Sequence, residues 1–223
     1  MKRLFALLLA LSLALSLAAC GGETVTLSPA PEEPVTGEPT ALALDALNVE
    51  FVIGGRDASE LTALQKELPP LLIGALAQHS YTVGQINITF GASADATARS
   101  LKDGGIDAAF LPSEVCVLSD TPLHLIAVED TSVPAAEYFP DVDFAALADV
   151  AADSPIYENT VVLAADAPDA LCDALAAALV TLCADVDGSA ALRHYGCASY
   201  LVSGDFGALF APLIACLTAA PQK

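Results

Sequence analysis

The sequence has no tryptophan, one methionine, and only eight lysines and arginines against 28 aspartates and glutamates in 223 residues. A net charge of −20 with no basic stripe excludes a nucleic-acid binder, because such a surface repels a phosphate backbone. There is no C-x-x-C pair, and His79, His124 and His194 are scattered, so neither a redox motif nor a structural zinc site is expected. G-x-S-x-G, H-E-x-x-H and P-loop patterns are also missing, and no enzyme, cofactor or metal is expected. Asp141, Asp143, Asp149 and Asp153 lie in an alanine-rich stretch without metal-loop spacing and read as a solvated face. No internal repeat is visible.

What is present begins with an address. Lys2-Arg3 precede an apolar run from Leu4 to Leu17, broken only by Ser12 and Ser16, and Leu17-Ala18-Ala19-Cys20 closes it. The run is short of the roughly 20 residues that a membrane span needs, and small residues lead into a cysteine. This resembles the lipobox of a bacterial lipoprotein. Residues 1–19 are then a signal peptide, and Cys20 is the lipidation site that holds the chain to the outer face of the cell membrane by acyl chains. Losing Lys2 and Arg3 with it leaves six cations against the same acids, a net charge of −22. Pro29, Pro31, Pro34 and Pro39 exclude a helix or central strand, so residues 20–43 read as a tether before a folded domain at residues 44–223.

Alternation of Leu47, Val49, Phe51 and Ile53 gives a strand that exits at Gly54-Gly55. Leu61, Leu64, Leu68, Leu72 and Leu76 follow at helical spacing, and Pro69-Pro70 imposes a kink or restart. Ile86, Ile88 and Phe90 form a second strand, Ser93–Lys102 a short helix ended by Gly104-Gly105, and Ile106–Leu111 a third strand before a helical segment at Pro112-Ser113. Leu123–Val128 and Thr160–Ala164 are further strands, Glu129–Ser154 carries no firm assignment, and three helices close the chain around Leu171–Leu182, Ser189–Tyr195 and Asp205–Leu217. Tyr200–Ser203 is a short strand between the last two. The pattern predicts an α/β fold, a three-layer open and mostly parallel sheet, with the loops Gly54–Ser59, Gly91–Asp95 and Pro112–Glu114 on one edge. That edge is where open α/β sheets bind ligands.

The stretch Val49–Leu118, centred on Gly104-Gly105-Ile106-Asp107-Ala108-Ala109-Phe110-Leu111-Pro112-Ser113, resembles the first lobe of phosphate/phosphite/phosphonate-type solute-binding proteins of ABC transporters. The run Leu192–Phe206, with His194-Tyr195-Gly196, Tyr200 and Asp205-Phe206, resembles that family's closing segment. The resemblance implies a periplasmic-binding-protein-like fold, a small-molecule solute (an oxyanion such as phosphonate or phosphate), an ABC permease as partner, and no catalysis. Members are two-lobed, but residues 121–153 are too few for a second lobe and contain no Ser-Thr-Ser-Gly-like phosphate loop. A single lobe is therefore expected, with an accessory or interaction lipoprotein that no longer transports as the alternative.

Four residues are candidates for the ligand. Arg56 stands at a strand-to-helix turn where a guanidinium and free backbone N–H groups can hold an oxyanion; alternatively it pairs with Asp57 or Glu60. Ser93 and Ser113 occupy equivalent loop positions and offer hydroxyls, or cap helices. By the resemblance, Tyr200 contributes to a cleft; by itself it reads as packing. Cys116, Cys172, Cys183, Cys197 and Cys216 leave an odd thiol; Cys172 and Cys183 cannot reach each other on one helix, and either could pair with Cys197 or Cys216, or all act as small apolar residues.

Overall fold

The computed structural model describes residues 42–120, 122–197 and 199–220. Strand β1, Leu42–Val52, turns Leu47, Val49 and Phe51 to one face, where all three are buried. Helix α1, Ala58–Gln78, lays Leu61, Leu64, Leu68, Leu72 and Leu76 over that face. It runs unbroken through Pro69 and Pro70, so the expected restart does not occur. The strong leucine stripe on both sides of the prolines anchors the two halves on one sheet and outweighs the lost backbone bonds.

Strand β2, Tyr81–Gly91, pairs in parallel with β1 along its whole length. Helix α2, Ala94–Lys102, ends at Gly104, whose φ of +71° is the left-handed turn that favours glycine. Strand β3, Ala108–Pro112, joins the other side of β1 in parallel. Asp107, just before it, fixes the register: its Oδ2 accepts from the Asn48 backbone N–H at 2.7 Å and from Asn48 Nδ2 at 3.0 Å. Helix α3, Ser113–Leu118, and strand β4, Leu123–Glu129, follow.

The stretch Glu129–Ser154 carried no assignment in the sequence. Residues 130–158 fold into a hairpin of β5, Ser132–Pro134, and β6, Pro155–Tyr157, with helix α4, Ala135–Tyr138, and a 3-10 turn at Phe144–Ala146 between them. Strand β7, Asn159–Ala164, then enters the main sheet between β3 and β4, antiparallel to both. Helices α5, Asp169–Ala184, and α6, Val186–Arg193, the two-residue strand β8, Tyr200–Leu201, and helix α7, Phe206–Ala219, complete the chain.

The sheet order is β2-β1-β3-β7-β4-β8, with β1 to β4 running one way and β7 and β8 the other. Helices α1, α5 and α6 cover one face and α2 and α3 the other, giving the expected three layers. The described residues form one compact unit. A further core lies under the hairpin, where Ala135, Val150 and Ile156 pack on Phe210, Leu213 and Cys216 of α7.

Candidate functional site

Because β1, β2 and β3 are parallel, their following loops gather at one edge, and the candidate residues can be placed along it. Gly54 and Gly55 leave β1 with φ of +55° and +77°, which folds the loop back so that Arg56 lies against the sheet end. Its guanidinium is stacked over the Tyr195 ring, 3.7 Å from the centroid. Nε donates to the Tyr195 carbonyl at 2.6 Å, and Nη1 donates to the carbonyls of Val52 and Ile53 at 3.2 and 3.3 Å. The sequence pointed to Asp57 or Glu60 as alternative partners, but the structure supplies backbone carbonyls and an aromatic face instead. Arg56 therefore ties the exit of β1 to the end of α6.

Tyr195 is the other half of this tie. Its hydroxyl donates toward the carbonyls of Val52 and Phe110, at 3.2 and 3.4 Å, and its ring stands edge-on to Phe51, which stacks on Phe110. Burial pushes the phenol up to about 12, against the opposing pull of Arg56 and the bond to Val52. Nearby, His194 Nε2 lies 3.3 Å from Glu67 Oε2 and pins α6 to α1.

Ser93 is exposed, and its Oγ accepts from the Ala96 N–H, which makes it the N-cap of α2. Tyr200 faces the core rather than an opening: it is 6% exposed and meets Phe110 edge-on at 5.8 Å. Burial drives its hydroxyl well above the ordinary range, with Cys197 and Glu129 adding to the effect. Ser113 differs from both. It is 1% exposed, its N–H donates to the Glu158 carbonyl at 2.7 Å, and its Oγ has no hydrogen-bond partner among the described residues.

The acids on this edge were not legible in the sequence. Pairing across the strand ends sets Pro112 opposite Asn159, and Glu129 opposite Tyr200. Glu129 is 8% exposed and accepts from Asn159 Nδ2 at 2.6 Å. Burial, together with the nearby carboxylates of Glu114 in α3 and Glu158, raises the Tyr138 hydroxyl far above its usual value. The only signal available was Glu129 ending an apolar strand, which reads equally as a solvated terminus. An anion here meets one arginine already engaged with carbonyls, one unsatisfied hydroxyl, and a negative surround. All five cysteines of the domain are free thiols, and Cys197, whose Sγ donates to the Ser199 carbonyl, is pushed up to about 12 by burial and Glu129. Cys20 lies outside the described residues.

No protein-family model and no curated protein matches the chain. Solved structures do share its architecture. XAC2383 from Xanthomonas citri, solved bound to chloride and bound to ATP, is 9% identical with a TM-score of 0.50 in both cases, over 78% and 79% of this chain and 97% of its own. A binding-protein component of an ABC phosphonate transporter from Pseudomonas aeruginosa is 9% identical with a TM-score of 0.43, over 71% of this chain and 82% of its own. At such identity the likeness to XAC2383 is one of fold alone. The chain has an α/β fold shared with XAC2383, a central sheet in which four of six strands run the same way, between two layers of helices.

Proposed function

We propose that this chain is an extracytoplasmic solute-binding lipoprotein of the ABC-transporter type. In this reading lipid on Cys20 holds it to the outer face of the membrane, an ABC permease is its partner, and it carries out no catalytic step. The solute is a small oxyanion of the phosphonate or phosphate class, bound at the strand-end edge beside Ser113. The observation that carries this reading is the Ser113 hydroxyl, buried at the start of α3 and without a hydrogen-bond partner among the described residues. Leaving such a group without a partner costs about 1–3 kcal/mol, and a ligand oxygen would supply the missing acceptor. The fold shared with XAC2383, itself solved with two anions, is in keeping with it.

A second reading, an accessory lipoprotein that no longer transports, is favoured by Arg56, whose Nε and Nη1 are committed to carbonyls, and by Glu129, Glu114 and Glu158 on the same edge. Thermal-shift and calorimetric titration of the chain from Thr40 with methylphosphonate, phosphate and sulfate separates the two. The first reading expects a stabilisation that grows with concentration, about 2.7 kcal/mol at a hundredfold excess over Kd, and that is lost in Ser113→Ala. Absence of any shift in a cooperatively folded sample would overturn it. The accessory reading then expects a second copy or a partner protein on that edge, and light scattering tests for the former.

A further inference from the structure

At the opposite edge of the sheet, where β4 begins, a thiol and an imidazole from separate elements meet. His124 lies near the start of β4, and Cys172 lies in the first turn of α5, which packs across that strand. His124 Nδ1 stands 3.2 Å from Cys172 Sγ. Both line a cavity of about 370 Å³, walled further by Asp173, Val202, Ser203 and Phe206. The candidate solute edge, at the far ends of these strands, uses neither residue.

We propose that Cys172 and His124 form a two-donor site for a soft monovalent metal cation of the Cu(I) class. Sulfur and imidazole nitrogen select soft or borderline ions over calcium and magnesium, which take oxygen. Zinc prefers four donors in a tetrahedron, and among the described residues no group of three or more His, Cys, Asp or Glu side chains is placed to hold a metal ion. Two donors suffice for a monovalent d10 ion. On binding, the Cys172 S–H bond breaks, the sulfur–metal bond forms, and the proton leaves to solvent, so thiol plus M⁺ gives a neutral thiolate–metal unit plus H⁺. That neutral unit suits a half-buried position better than a bare thiolate does. Asp169 and Asp173 act electrostatically on the same sulfur and add the negative potential that draws a cation in. The net charge of −20 concentrates cations around the whole chain.

The present separation holds the donors closer than a metal would. With bonds of about 2.0 Å to nitrogen and 2.3 Å to sulfur, a linear arrangement needs about 4.3 Å between them. The cavity beside both side chains gives room for that opening of about 1 Å by rotation about their χ1 bonds.

The test uses the full chain in a Cys20→Ser background, with Cu(I) as probe, anaerobically, in competition with a chromophoric Cu(I) chelator. One equivalent should be withheld from the chelator. Cys172→Ser and His124→Ala should each weaken it at least tenfold, whereas Cys183→Ser, on the same helix, should leave it unchanged. Full retention in His124→Ala, an equal loss in Cys183→Ser, or Zn(II) held as firmly as Cu(I) would overturn the proposal. X-ray absorption on the Cu(I)-loaded protein with His124 and Cys172 intact needs no substitution at the site: one sulfur and one nitrogen donor support the assignment, and two sulfurs refute it.

Discussion

Replacing Ser113 by alanine should make the protein more stable and, under the proposed function, leave it unable to bind the proposed oxyanion. The hydroxyl is 1% exposed and has no hydrogen-bond partner among the described residues, so in the free protein it carries a desolvation cost of about 1–3 kcal/mol. Its removal deletes one oxygen and opens a void too small to cost more than a fraction of that. Ser113 is not the cap of α3; Pro112 holds that position, without a side-chain bond. Alanine is also the better helix former by a few tenths of a kcal/mol. The sum is a stabilisation of about 1 kcal/mol, which in a domain of this size raises Tm by about 2–4 °C. Paired urea and thermal unfolding of the two proteins measures it, and repeating the melts with methylphosphonate shows whether the ligand-dependent increment has vanished. A variant less stable than the parent by more than about 0.5 kcal/mol would mean that the hydroxyl has a structural partner, and the reasoning from its isolation would fail.

Arg56→Ala removes three bonds to carbonyls and a stacked ring, and should cost about 2–4 kcal/mol in urea unfolding. Arg56→Lys should recover less than half of this, because one ammonium cannot serve those carbonyls while lying flat on Tyr195. Gly91→Ala places a Cβ on Thr97 Oγ1 and 2.7 Å from Glu50 Oε1, two groups that are bonded to each other, and should cost about 2–3 kcal/mol. The control, Gly74→Ala in α1, meets nothing within 4 Å and should gain about 0.5–1 kcal/mol. The Cys197 thiol is raised from its ordinary 9.0 to about 12, so the folded state keeps a proton that the unfolded chain releases. That stability is complete below about pH 9 and is lost as pH climbs toward 12; urea midpoints should hold between pH 7 and 8 and fall between pH 9 and 10, and Cys197→Ala should flatten that fall.

The order of elements was legible because β1, α1 and β2 carry unmixed periods: alternating residues in the strands, and leucines three or four apart in the helix. Strand direction was not. Val161, Val162 and Leu163 are fully buried and announce an internal strand, yet nothing in them says that β7 is entered from the far end and so runs against its neighbours. Glu129–Ser154 was opaque for a different reason. The strands of its hairpin are three residues long and the helix between them a single turn, too short for any period to show. At the candidate edge, the loop positions of Arg56, Ser93 and Ser113 followed from spacing, but their roles did not. Arg56 finds its partners at Tyr195, 139 positions away, and the latch between Asp107 and Asn48 spans 59, distances at which sequence pattern carries no information.

The hairpin changes what binding at this edge can mean. A two-lobed receptor grips its solute by closing one lobe on the other, and its residence time comes from that closure. In this chain the hairpin segment between β4 and β7 has its apolar residues, Ala135, Val150 and Ile156, fastened to Phe210, Leu213 and Cys216 of α7. A core of that kind does not open and shut as a hinge does; unpacking it would expose most of the buried face of α7. Under the proposed function a solute would be held by what the sheet end offers, chiefly the Ser113 hydroxyl, with Glu129, Glu114 and Glu158 opposing an anion. Binding through so few contacts is fast to exchange and shallow in affinity, so delivery to a permease would depend on tethering near it. The lipid proposed on Cys20 and the proline-punctuated residues that follow would supply that nearness, by raising local concentration rather than by tightening the grip.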